Sequence, residues 1–102
     1  VAVGLKVSEL PLADIHHVQA QIYQLKGSQQ QAHQSYRSAL QLQPGQSEWR
    51  FEFSELLREM GDLQTAYAQA LQCCQEAPHN VKYQEHVKTL APLLLQRMRA
   101  RS

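Results

Sequence analysis

At 102 residues the chain is long enough for one domain with a single modest core. Hydrophobic residues make up 43% of it, which argues against wholesale disorder, and a net charge of +1 gives no mandate for nucleic acid or a membrane. No apolar run approaches the roughly 20 residues needed to cross a bilayer. The chain opens without methionine or a charged-then-apolar leader, so a piece of a longer protein is expected. Its two cysteines, Cys73 and Cys74, are adjacent. Helical neighbours point about 100° apart, so a bridge between them would be strained. They read as small half-buried side chains in a reducing compartment, and a cytoplasmic setting is the expectation.

Residues 1 to 12 alternate Val1, Val3, Leu5 and Val7 with Ala2, Gly4, Lys6 and Ser8, a period of two that suits an extended arm or linker. Pro11 opens the first helix, where its missing N–H costs nothing. That helix is expected over residues 13 to 26, with Ile15, Val18, Ala20, Ile22, Tyr23 and Leu25 forming a loose apolar stripe. Gly27 suits its left-handed stop. Ser28 followed by Gln31 gives a capping-box pattern for a second helix over residues 29 to 43, whose inner face is Ala32, Tyr36, Ala39 and Leu40.

Pro44-Gly45 breaks the chain before a third helix over residues 47 to 60, with Trp49, Phe53, Leu56, Leu57 and Met60 in a stripe. Gly61-Asp62 turns it into a fourth, over residues 63 to 77, with Ala66, Tyr67, Ala70, Leu71 and Cys74 inward. After Pro78, Asn80 caps a fifth helix whose Tyr83, Val87, Leu90, Leu94 and Met98 sustain one stripe. Pro92 is expected to kink this helix or to start its second half.

Residues 27 to 44, GSQQQAHQSYRSALQLQP, and 61 to 78, GDLQTAYAQALQCCQEAP, follow one plan. Gly27 and Gly61, Ala32 and Ala66, and Pro44 and Pro78 are each 34 residues apart. Ala20 with Ser54, and Tyr23 with Leu57, keep the same step upstream. Small residues at these steps suit helices that approach to about 8 to 10 Å. A 34-residue period with mid-repeat glycine and closing proline resembles the tetratricopeptide repeat. The resemblance covers residues 13 to 80. It departs from the family pattern at His16 and Gln19, where tryptophan and leucine are common, at Trp49, displaced by one residue, and at Ala70 and Cys73.

The resemblance implies an all-α fold: a short α-solenoid of two helix–turn–helix repeats, residues 13–46 and 47–80, with a capping helix over 81–102. It also implies a protein–protein interaction module, adaptor or scaffold, that binds a peptide or helix on the face lined by its first helices. Carried onto this chain, that face takes His17, Gln21 and Gln24 from repeat one, and Phe51, Glu52, Glu55, Arg58 and Glu59 from repeat two. Asp14, Glu48, Lys82, Glu85, His86 and Thr89 fall on the same face. The subset of the family that clamps a peptide's terminal carboxylate uses lysine and asparagine where His17 and Gln21 stand here. Glu52 and Glu55 would repel a carboxylate.

Charge sorts by segment. Residues 47 to 78 carry two bases against six acids, a net of −4, and residues 79 to 102 carry five bases against Glu85, a net of +4. An acidic face bearing the aromatic Phe51 as a free anchor suits a basic partner. The plainer account is a solvated helix face beside a basic helix end that complements the dipole.

No histidine pair has i,i+4 spacing and no nucleophile–base motif or glycine-rich phosphate loop is present, so no metal, no cofactor and no enzyme activity is expected. Arg97, Arg99 and Arg101 lack interleaved aromatics, which leaves nucleic acid unfavoured. Sixteen glutamines make the surface polar yet weakly charged. The rival reading is a homodimerisation module, because two repeats and a helix fall short of the three or so repeats that bury a stable core. Its contact would use the arm and Leu95 of the fifth helix.

Overall fold

The computed structural model describes residues 11–101, which contain five α-helices and no strand. These are α1 Leu12–Leu25, α2 Gln29–Leu42, α3 Ser47–Glu59, α4 Leu63–Glu76 and α5 Val81–Ala100. The first four agree with the sequence expectation to within a residue at each end. The alternating Val1, Val3, Leu5 and Val7 lie outside the described residues. Among the described residues no helix is long and apolar enough to cross a membrane. Contacts divide the chain after Pro44 into two units, one holding α1 and α2 and the other α3, α4 and α5.

Two turns make the hairpins. At the end of α1, Gly27 takes φ +77° and its N–H donates to the Gln24 carbonyl at 3.1 Å, while the Ser28 N–H donates to the Tyr23 carbonyl at 2.8 Å. At the end of α3, Gly61 takes φ +88°, with Gly61 to Arg58 at 3.0 Å and Asp62 to Leu57 at 2.9 Å. Both are Schellman endings, and glycine serves them because other residues resist the left-handed region. The next residues also match: Ser28 has φ −88°, ψ 74°, and Asp62 φ −88°, ψ 73°.

That shared backbone exposes a difference in side-chain reach. The Asp62 carboxylate accepts from the Thr65 N–H at 3.2 Å, whereas the Ser28 hydroxyl makes no cap hydrogen bond. The capping box expected from Ser28 and Gln31 is therefore not formed. Asn80 caps α5 by accepting from the Tyr83 N–H at 3.3 Å.

In the first unit Ala20 and Ala32 are both completely buried, so small residues do mark the close approach of α1 and α2. The expected apolar stripe of α1 is otherwise mostly outside: Val18, Ile22 and Leu25 are exposed, the last at 88%. The helix presents Ala13 and Ala20 inward instead, with His16, His17, Tyr23 and Gln24 half-buried on the same three-and-four spacing.

In the second unit α4 packs on both α3 and α5. Its inner face is Leu63, Ala66, Ala70 and Cys73, stepping 3, 4 and 3; Ala66 and Ala70 were expected there, Leu63 and Cys73 were not. Leu71 is exposed, Tyr67 and Cys74 are half-buried, and Cys73 is the core cysteine. On α5 the buried residues are Tyr83, His86 and Leu90, whereas Val87 and Leu94 are half-buried and Met98 is exposed. The helix runs through Pro92, whose ring leaves the Lys88 carbonyl without its helical donor.

Candidate functional site

Each unit places its own share of the expected site residues. In the first, Tyr36 is fully buried on α2 and donates its hydroxyl to Gln24 Oε1 at 2.7 Å. Its ring lies 6.2 Å from that of His17, tilted at 54°. His17 and Gln24 therefore converge on Tyr36, and Gln21 is exposed beside them.

In the second unit the sites meet along α3 and the start of α5. Lys82 Nζ donates to both oxygens of Glu48, at 2.9 and 2.7 Å, and the Tyr83 hydroxyl donates to Glu48 Oε1 at 2.9 Å. Partial burial alone would raise the Glu48 carboxyl, but the hydrogen bonds from Lys82 and Tyr83, with the Lys82 charge, hold it below the ordinary carboxylate value. Burial pushes the Tyr83 phenol up, and the hydrogen bond to Glu48 and that carboxylate's charge add to it.

Phe51 differs from expectation. It was to stand free among glutamates, yet it is 9% exposed and packs in a core cluster with Cys73 and Tyr83. Its ring is 5.4 Å from that of Tyr83 and meets the His86 ring edge-on at 4.9 Å. The reason is that α5, packed on α4, brings the rings of Tyr83 and His86 to this side of α3. Lys82 Nζ lies over the Phe51 ring, 4.6 Å from its centroid.

Glu55, Arg58 and Glu59 are exposed and Glu52 is half-buried, so α3 does present a carboxylate stripe. Burial raises the Glu55 carboxyl; the Lys82 charge opposes this, and Glu59, Glu52 and Glu48 reinforce it. Like charges are thus crowded here, with Lys82 the base that acts on them.

His86, expected on the open face, is buried. Its Nε2 lies 2.8 Å from Ser54 Oγ, and that hydroxyl is 2.6 Å from the Ala66 carbonyl. A carbonyl only accepts, so the single Ser54 proton goes to Ala66 and His86 must donate from Nε2. This fixes the tautomer and ties α5 to α3 and α4. Burial lowers the His86 imidazole and the Arg58 charge lowers it further. Although a serine and a histidine meet here, Ser54 is completely buried and its proton is committed, so the pair cannot reach a substrate.

The ends of α3 and α4 are tied by the Ser47 hydroxyl donating to Glu76 at 2.6 Å and by Cys73 Sγ donating to the Ser47 carbonyl at 3.4 Å. Burial, with lesser charge effects, pushes the Cys73 thiol up to about 12, so it is a packing group and no nucleophile. Among the described residues no three histidine, cysteine or acidic side chains gather where a metal could sit. No family model and no curated protein matches this chain.

The sequence placed Tyr83 on the inner stripe of α5, where it is buried, but its hydroxyl's bond to Glu48 and the buried role of His86 were not anticipated. The signal was present, since Tyr83, His86 and Leu90 step 3 and 4 as cleanly as the apolar set that was preferred.

Proposed function

We propose that this chain is a protein–protein interaction module, an adaptor or scaffold piece of tetratricopeptide type, built as a short α-solenoid of two helical hairpins and a capping helix. In this reading it binds a basic peptide segment along the outer side of α3 and the start of α5. The repeat is supported by its backbone: the glycine endings, the residues after them and the endings at Gln43 and Ala77 recur 34 positions apart with closely similar dihedral angles. The observation that carries the partner class is the crowding of Glu48, Glu52, Glu55 and Glu59, whose mutual repulsion a cationic segment relieves.

The test is calorimetric titration of the chain with lysine- and arginine-rich peptides against neutral ones of equal length. Basic peptides bind preferentially, added salt weakens them, and replacing Glu52, Glu55 and Glu59 together by glutamine costs at least about tenfold in affinity. Equal binding of neutral and basic peptides would reject the reading.

A further inference from the structure

The Lys82 ammonium occupies a position that other cations could fill. It lies 4.6 Å from the Phe51 ring centroid and 5.6 Å from that of Tyr83, both inside the roughly 6 Å reach of a cation–π contact. The two rings are 5.4 Å apart and tilted by 35°. Both oxygens of Glu48 complete the ammonium's surroundings. Two aromatic rings and a carboxylate around one nitrogen are the elements with which proteins recognise organic ammonium groups.

The walls and the occupant differ in how firmly they are held. Phe51 and Tyr83 are core residues, and the Tyr83 hydroxyl also holds Glu48 through Oε1. Lys82 is the second residue of α5, its side chain is 49% exposed, and its ammonium ends a flexible four-carbon stem. An exposed ion pair of this kind is weakly held and easily exchanged. Departure of Lys82 would leave the walls standing and would deprive Glu55 of the base that acts on it.

We propose that Phe51, Tyr83 and Glu48 form a receptor for an organic ammonium group, with Lys82 as a tethered resident that an incoming lysine-type cation displaces. This rests on the reading of α3 as the docking face for a basic segment, and it adds the point at which one side chain is seated. Lys82 then sets the threshold for binding, because every ligand must first compete with a cation of the same chemistry.

The receptor can be tested without any peptide. Tetramethylammonium chloride is titrated into the full chain, with sodium chloride at equal ionic strength as control, while the aromatic NMR signals of Phe51 and Tyr83 are followed. In the Lys82→Ala variant these signals move saturably, and the native chain needs about tenfold more probe for the same shift, a ratio that one moderate cation–π site accounts for. Lys82→Gln behaves as Lys82→Ala does and guards against a folding defect in either variant. Adding Glu48→Gln to the alanine variant removes most of the shift. Absence of a saturable shift in both Lys82 variants would overturn the receptor, and equal midpoints in native and variant chains would overturn the resident role. Neither outcome depends on whether basic peptides bind, so the two readings fail separately.

Discussion

Ser54→Ala is the most informative single change in the second unit. It removes one oxygen from a fully buried position where that oxygen serves two partners. The Ala66 carbonyl loses a 2.6 Å donor but keeps its place in the α4 ladder, while the His86 Nε2–H loses its acceptor at 2.8 Å. A buried donor left unmatched costs about 1 to 3 kcal/mol, more than the net worth of an average hydrogen bond. The expected loss is therefore about 1 to 3 kcal/mol, or about 4 to 8 °C in Tm per kcal/mol for a unit of this size. Urea unfolding followed through Trp49, the only tryptophan and itself buried, measures it. In a His86→Leu background the same serine change should cost only the Ala66 bond, about 0.5 to 1.5 kcal/mol. The His86 contact also sets a pH dependence. Its folded-state value is lowered, so as pH falls through the ordinary histidine range the unfolded chain takes up a proton that the folded chain refuses. Stability accordingly declines from above about 6.5 until the lowered value is passed, and His86→Leu flattens that slope. A serine variant as stable as the native chain, or a cost unchanged without His86, would refute this account of the contact.

Phe51→Ala should act on the fold before it acts on any partner: a loss of about 3 to 5 kcal/mol is expected for a buried phenylalanine, read as a large drop in the urea midpoint. A variant of native stability would return Phe51 to the surface. Gly61→Ala meets no atom within 4 Å of the added methyl, so its cost comes from φ +88° alone and should be about 1 to 2 kcal/mol by thermal melting.

The helix boundaries were legible because their causes are local. Gly27 and Gly61 end helices through a backbone conformation that glycine adopts freely, and Asp62 and Asn80 start them through side chains that reach three residues ahead. Which side chains face inward was less legible, because that depends on what lies across the helix. On α3, Trp49, Phe51 and Phe53 are all buried, so no single stripe describes a helix with neighbours on more than one side. Cys73 and Cys74 show the same limit at its smallest scale: adjacent and chemically identical, they are told apart only by the register of α4 against its neighbours. The acidic side of α3 was readable from spacing, but the bond from Lys82 to Glu48, 34 residues earlier, required the packing of α5.

The proline inside α5 has a consequence for how the helix lets go. Ahead of Pro92 it is gripped by Tyr83, His86 and Leu90. Beyond it the grip is slight: Leu93 and Leu94 are half-buried, and Arg97 donates to the Gly61 carbonyl. The missing rung at the Lys88 carbonyl separates the two stretches, and the Thr89 hydroxyl turns back to the Glu85 carbonyl at 3.0 Å just before the break. Fraying from the carboxyl end therefore halts at the proline. Amide protons behind it exchange with solvent through shallow, local opening, whereas those ahead wait for the whole unit to come apart. Lys82 sits on the protected stretch, so the tail can be lost or bound elsewhere without loosening the cation seat.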